Sequence, residues 1–225
     1  MKSTRALALA LALCAVLPTA GAAQQRSTNS FENSWFWGVK GGSLLYSAPT
    51  KANANGGMVG LDWLITRRKG GVYVSYDQTF LKSAAIISDS VGPADTTAHV
   101  VDFKNLRRLS MMAVGFPGGS RYLRPYVGIG FSYNAIGTIT PRYTASSPDQ
   151  QALGDAIVKN YQTAFSPIGL LGVQGNWRTL GLFAQTTATP VTKNFFLYAQ
   201  NKTMRMSFEL GLRWNVGSSI DESTR

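Results

Sequence analysis

Hydrophobic and polar residues alternate with a period of two along most of this chain. In the segment 203–216 every even position is apolar, and every odd position is polar, charged or glycine. A β-strand places successive side chains on opposite faces, whereas a helix would scatter this pattern around its surface. The segments 59–65, 72–80 and 122–135 repeat the alternation. Noisier versions occur at 35–46, 100–116, 161–176 and 179–189, so the pattern predicts about eight strands.

The connections between these segments alternate in length. Short turns are predicted at 66–71, 116–121 and 176–179, and longer polar loops near 47–56, 82–98, 137–160 and 190–196. Short turns on one side and long loops on the other are typical of an up-and-down meander. We therefore predict one all-β domain over residues 34–216, an antiparallel up-and-down barrel of about eight strands. Gln150–Val158 is expected to add one or two helical turns, and residues 24–33 and 217–225 read as polar tails.

The first 23 residues have the pattern of a secretory signal peptide. Lys2 and Arg5 precede the apolar stretch 6–17, and residues 20–22 (AGA) form a small-residue cleavage signal. Removing residues 1–23 would remove the single cysteine, Cys14, and would lower the net charge from +11 to +9. The mature chain is then an exported protein without a disulfide, found in the periplasm, in the medium or in the outer membrane of a bacterium.

Alternation alone does not say which face of the barrel points outward. A lipocalin-like soluble barrel turns its apolar face inward, whereas an outer-membrane barrel turns it outward. Here the polar face consists mainly of Gly, Ser, Thr, Asn and Tyr with few charges, unlike a soluble exterior. Strands of about nine to fourteen residues also match the length that spans a bilayer at a tilt. Both features favour the membrane barrel.

The tryptophans support the same choice, because the topology places all five at the short-turn end. Two of them open the first strand, and the other three close strands two, six and eight. Phe116 and Tyr122 join this predicted belt, and aromatic belts are characteristic of a bilayer interface. The predicted aromatic girdle comprises Trp35, Trp37, Trp63, Trp177 and Trp214.

At this level the chain resembles the small bacterial outer-membrane β-barrel family, typified by the OmpA transmembrane domain, OmpX and OmpW. The resemblance covers residues 34–216 and is carried best by the terminal strand, MRMSFELGLRWNV. It implies a bacterial outer-membrane location, with outer-membrane lipids and the barrel assembly machinery as partners. In that family the last strand usually ends the chain on an aromatic residue, whereas nine residues follow Val216 here.

The polar face carries a few charges that an outward apolar face would enclose in the lumen. Because burying an unpaired charge is costly, we expect these charges to form ion pairs at matching heights. The main hypothesis is a structural ionic plug, and the alternative is a gate for ions or small solutes, since OmpA-like barrels carry such lumen pairs. The predicted lumen ionic cluster comprises Lys40, Asp62, Asp77, Arg124, Arg205, Glu209 and Arg213.

Arg107 and Arg108 are consecutive, so regular alternation would aim one of them at lipid. Near the middle of a bilayer this costs about 2–4 kcal/mol. A β-bulge, or a lipid-facing band confined to residues 109–116, would relieve that cost.

The sequence offers little for catalysis or for binding a cofactor. His99 is the single histidine and has no hydroxyl residue at the neighbouring same-face position, so we predict no catalytic residues, no metal and no cofactor. The basic residues of the short turns, including Arg67, Arg68 and Lys69, fit anionic lipid head groups better than nucleic acid. The leading hypothesis is a non-enzymatic envelope protein with a structural or surface-contact role. A narrow OmpW-like conduit for small or apolar solutes is the alternative, and a lipid-modifying enzyme is disfavoured.

Overall fold

The protein is an eight-stranded antiparallel β-barrel, as predicted, in which each strand pairs with the next and β1 closes the barrel against β8. The computed structural model describes residues 31–48, 51–88, 98–120, 122–141, 148–177, 179–190, 195, 197 and 204–218. The signal-peptide prediction lies outside these residues. The strands are β1 (Ser34–Ala48), β2 (Lys51–Thr66), β3 (Gly70–Ser88), β4 (Ala98–Gly115), β5 (Leu123–Pro141), β6 (Thr163–Trp177), β7 (Leu180–Pro190) and β8 (Met204–Ser218), and one helix, α1 (Pro148–Gln162), precedes β6.

The apolar face of the alternating pattern points away from the barrel axis. Leu210 is 65% exposed and Ile129 is 76% exposed, whereas Glu209 between the apolar positions of β8 is 2% exposed. The even positions of β8 are exposed along the strand, and the odd positions from 205 to 209 and at 213 are buried. The barrel is therefore apolar outside and polar inside at mid-height, opposite to a lipocalin-like arrangement.

The strands are longer than the alternation predicted, particularly at the long-loop end. Most of the predicted loop 47–56 and the segment 82–88 of the predicted loop 82–98 continue as strand, and β3 and β5 each reach 19 residues. The sequence of these extensions consists mainly of small and polar residues, so backbone pairing between the strands continues beyond the alternating hydrophobic pattern. Helix α1 likewise spans 15 residues. Val158 and Tyr161 of this helix pack against an apolar cluster in the barrel mouth, which stabilises more turns than the sequence predicted.

The barrel interior contains two apolar clusters with a polar layer between them. The cluster at the long-loop end includes Leu44, Phe103, Leu106 and Leu197. The cluster at the short-turn end contains Phe31, Phe36, Phe116 and Tyr126 among others.

Phe116 corrects the predicted belt, because its ring faces inward and packs edge-on against Phe31 at 4.8 Å instead of joining the outer girdle. Phe31, expected in a polar tail, closes this end of the lumen.

Strand β4 changes its inward-facing phase at Asn105. Residues 106, 108, 110, 112 and 114 point inward, whereas nearer the long loops the inward positions are 103 and 101. Asn105 has a left-handed φ of 60°, and two β3 residues oppose it in a β-bulge. The bulge explains why the alternation of 100–116 was noisy.

The same phase places Arg108 inside and Arg107 outside. Arg107 is the next outward-facing residue of β4 after Leu109, whose register partners are Tyr76 and Tyr133. Arg107 therefore borders the apolar band instead of interrupting it.

Asn105 provides a test of this register. We expect Asn105→Val to lower the free energy of unfolding by about 1–2 kcal/mol, because a β-branched residue tolerates the left-handed conformation poorly. Asn105→Gly is the matched control and should retain or raise stability, since glycine adopts this conformation freely. Urea midpoints of the protein refolded in detergent micelles measure both variants, and equal midpoints would contradict the bulge.

Candidate functional site

The centre of the lumen contains a closed ring of alternating charges. Lys40 of β1 places its Nζ 2.8 Å from Asp77 Oδ1 and 2.7 Å from Glu209 Oε2. Arg108 of β4 places its Nη2 2.9 Å from Asp77 Oδ2 and 2.8 Å from Glu209 Oε1. Each cation therefore contacts both carboxylates and each carboxylate contacts both cations. Their side chains are at most 6% exposed, so the attraction acts almost without water.

Neutral side chains complete the hydrogen bonding of Glu209. Gln185 Nε2 donates to Glu209 Oε2 at 2.6 Å and also to the Tyr73 hydroxyl at 2.8 Å. Ser207 Oγ donates to Glu209 Oε1 at 2.5 Å, and Arg108 Nη1 donates to Thr187 Oγ1 at 3.0 Å. A buried carboxylate is stable only when its oxygens are satisfied in this way, and the arrangement holds Glu209 in one conformation.

A second ion pair lies nearer the short-turn end. Arg213 donates to Asp62 through Nε and Nη2, each about 3 Å from a carboxylate oxygen, in a two-pronged contact. Its Nη1 donates to Gln174 Oε1 at 2.7 Å, and the guanidinium carbon lies 3.7 Å from the centre of the Phe183 ring. Arg213 and Asp62 have fully buried side chains, so this pair is also out of contact with solvent.

Glycines make room for two of these contacts, Lys40–Asp77 and Asp62–Arg213, because each of them reaches across an intervening strand. Gly60 of β2 lies in register between Lys40 of β1 and Asp77 of β3. Gly38 of β1 lies in the same way between Asp62 of β2 and Arg213 of β8. A Cβ on Gly60 would overlap Asp77 Oδ1 and lie 2.8 Å from the Tyr76 carbonyl oxygen. The absent side chain is what allows ions two strands apart to meet.

The structure joins five of the seven predicted lumen charges in these two groups and leaves two apart. Arg124 lies near the short-turn end, 3.9 Å from Glu32 and with its side chain 21% exposed. Arg205 lies on the long-loop side of the ring, and its guanidinium carbon is 5.0 Å from the centre of the Phe195 ring.

Arg108 was absent from the predicted cluster, although it completes the ring. The signal for it was that Arg108 shares the even-numbered face of the segment 106–114, which points inward. The change of phase at the Asn105 bulge obscured this signal in the sequence.

The predicted girdle tryptophans have their rings on the outer surface at the short-turn end. Trp37 pairs in register with Trp63 on one side and Trp214 on the other. The Trp37 and Trp63 rings stack at 5.6 Å, and Trp35 contacts Trp63 edge-on at 5.5 Å. Trp177, at the end of β6, is 79% exposed.

The described residues provide no additional reactive centre. No three His, Cys, Asp or Glu side chains among them lie close enough to hold a metal ion. His99 lies in β4, paired in register with Ile87 at the long-loop end. Within the same residues, no helix has the length and apolar character needed to cross a membrane as a helix.

The ring predicts a large stability effect for Glu209. We expect Glu209→Ala to lower the free energy of unfolding by about 3–5 kcal/mol, because Lys40 and Arg108 would remain buried with half of their counter-charge. Glu32→Ala, which removes a partly exposed carboxylate, is the control and should stay within about 0.5 kcal/mol. Denaturant unfolding in micelles compares them, and similar losses would refute the energetic role of the ring.

A second prediction concerns Gly60. Gly60→Val should destabilise the barrel by about 1–3 kcal/mol, because the added carbons displace Asp77 and Lys40. Gly57→Val is its matched control on the same strand, since a Cβ there meets nothing within 4 Å. Thermal unfolding of both variants is the measurement, and an equally stable Gly60→Val protein would show that the ring tolerates the crowding.

No protein-family model and no curated protein sequence matches this chain. Solved structures do match its backbone. The crystal structure of Neisserial surface protein A aligns with a TM-score of 0.51 and 14% identity, over 80% of this chain and 96% of that one. Ail, the attachment invasion locus protein of Yersinia pestis, aligns with a TM-score of 0.46 and 14% identity, over 82% and 99% of the two chains. The outer-membrane protein OprG from Pseudomonas aeruginosa aligns with a TM-score of 0.41 and 11% identity, over 83% and 98%. The chain therefore has the eight-stranded barrel fold of small bacterial outer-membrane proteins.

Proposed function

We propose that this protein is a non-enzymatic outer-membrane barrel with a sealed lumen, which acts as a rigid scaffold for the surface-contacting structures at its long-loop end. The observation that carries this proposal is the buried charge ring of Lys40, Asp77, Arg108 and Glu209. A ring of this kind fills and braces a narrow lumen, and the low exposure of its side chains supports a lumen without a continuous water path.

The outer surface supports the outer-membrane location. Exposed aliphatic and aromatic side chains surround the barrel, as Leu61, Met111, Ile129 and Leu210 illustrate. Such a continuous apolar surface would be an aggregation hazard in water but is suited to hydrocarbon. The tryptophan girdle at the short-turn end is placed as interfacial aromatics are in membrane proteins.

Charged residues border both ends of this band. Lys82 and Lys104 pair in register near Arg107, and all three are exposed on the long-loop side of the band. Arg67, Arg68 and Lys69 are exposed in the turn between β2 and β3 at the opposite end. Cations in these positions suit the anionic head groups of outer-membrane lipids, which we infer to be the partners of the outer surface.

The sealed lumen argues against a permanently open conduit. Arg213, Asp62, Asp77 and Glu209 are all at most 2% exposed, although they lie along the axis of the barrel. Below them, Phe31 and Phe116 pack together at the short-turn end. Passage of a solute would require the ring to open and the aromatic cluster to part, and both steps have a large energetic cost.

The long-loop end has the features of a contact surface. Strands β3 and β5 extend beyond the apolar band, and helix α1 stands beside the mouth with Val158 and Tyr161 anchored on the interior cluster. A braced barrel presents such extensions in a fixed geometry, which favours recognition because little conformational entropy is lost on contact.

Planar-bilayer recording tests the sealed barrel directly. The purified, refolded protein should insert without stepwise conductance, because the charge ring excludes water from the lumen. The Glu209→Ala variant should show sporadic openings that Glu32→Ala does not. Steady wild-type currents that change with Glu209→Ala would instead support the narrow conduit. Membrane fractionation with heat-modifiable gel migration checks the location, and recovery in the soluble periplasmic fraction would refute it.

A further inference from the structure

Arg205 is a buried charge that the ring does not use. It lies on β8, pairs in register with Thr189 of β7 and points into the lumen one inward position beyond Ser207. Only 3% of its surface is exposed. Arg108 and Arg213, the other deeply buried arginines described above, each contact a carboxylate.

Two donor atoms of Arg205 lack an acceptor. Its Nε and Nη2 are buried without a hydrogen-bond partner, and no ion pair joins it to the described carboxylates. These atoms lie on the same edge of the guanidinium, and their N–H bonds are parallel. This edge can donate two hydrogen bonds to the two oxygens of a carboxylate or phosphate. Phe195 lies over the guanidinium, with the guanidinium carbon 5.0 Å from the ring centre. Arg108, which has the same charge, acts on it through the lumen.

We propose that the lumen carries a binding site for a small oxyanion, held by the Nε–Nη2 edge of Arg205. An uncompensated guanidinium next to a second one is unfavourable in a dry interior, and an anion with two oxygens supplies both the missing charge and the missing acceptors. Chloride offers a single centre, whereas acetate-like carboxylates and phosphate match the two donors.

The surroundings limit the size of this anion and its route of entry. Leu44, Phe195 and Leu197 are buried in the apolar cluster on the long-loop side, and Thr187 and Ser207 lie on the other side of Arg205. These buried neighbours favour a compact ion over a bulky solute. The charge ring blocks access from the short-turn end, so the anion enters from the long-loop end. This site goes beyond the scaffold role and does not depend on it, because it would exist in detergent as well as in a membrane.

Thermal unfolding with chosen anions tests the site. The full-length barrel in neutral detergent is titrated with sodium acetate or sodium phosphate, against sodium chloride at the same ionic strength. We expect a saturable rise in the unfolding temperature of wild type with at least one oxyanion and none with chloride. The acetate and phosphate arms distinguish a carboxylate from a phosphate ligand.

Three variants assign the effect to Arg205. Arg205→Met should abolish the oxyanion response and should unfold at a higher temperature than wild type when no oxyanion is present, because an unpaired buried charge is gone. Arg205→Lys should bind about tenfold more weakly, since an ammonium lacks the two parallel donors. The control Arg67→Lys, in an exposed turn, should respond like wild type.

Nuclear magnetic resonance of ¹⁵N-arginine-labelled wild type gives a second measurement should a variant fail to fold. One guanidinium Nε–H resonance should shift saturably with the oxyanion that raises the unfolding temperature. Absence of any oxyanion response in both measurements, or a response that Arg205→Met retains, would overturn the proposal. Neither result bears on whether the barrel conducts ions, so failure of this site is distinguishable from failure of the sealed-barrel proposal.

Discussion

The interior of this barrel is governed by the cost of taking charges out of water. Eight strands enclose a lumen just wide enough for side chains, so a charge placed there has little hydration to rely on. Lys40, Asp77, Arg108 and Glu209 solve this by mutual contact, with two positive and two negative groups in one ring. The Arg213–Asp62 pair applies the same rule nearer the short-turn end. The polar centre is thus electrically balanced, and its position fixes which strands must lie beside one another.

The two ends of the interior are apolar for a related reason. Apart from Arg124 and Arg205, the charges stay in the centre, and the inward positions towards the two ends are filled mainly by aliphatic and aromatic residues that need no hydrogen bond. The interior is therefore layered, with a polar centre between two apolar clusters, while the exterior is apolar over the central band. A simple inside–outside rule of hydrophobicity describes neither surface. The composition of the interior instead changes with height along the barrel axis. Hydrogen-bond and ion-pair partners are required only at the central level, where polar groups are enclosed.

Much of this arrangement was readable from the sequence. The strict alternation of 203–216 identified β8 and assigned Glu209 and Leu210 to opposite faces, because every residue obeyed one period. Arg108 was missed from the ionic cluster because the inward-facing positions of β4 change from odd to even numbers at Asn105. The local backbone conformation that causes this change leaves no periodic pattern in the sequence. The length of α1 was underestimated for another reason: its stability comes from Val158 and Tyr161 packing on distant strands. The pairing across Gly60 and Gly38 was likewise invisible until the register was known.

The ring also joins the first strand of the barrel to the last. Lys40 belongs to β1 and Glu209 to β8, and these strands form the pair that closes the cylinder. Before these two strands pair, Lys40 can contact Asp77 of β3 but not Glu209, and Glu209 has neither of its two cations within reach. The ion pairs of Glu209 therefore form only when the last two strand edges are joined. Pairing of β1 with β8 therefore completes the ring, whereas an open sheet has only the contacts of Asp77 with Lys40 and Arg108. Because Glu209 has no cation partner in an open sheet, the ring favours the closed barrel over a sheet whose first and last strands are still apart.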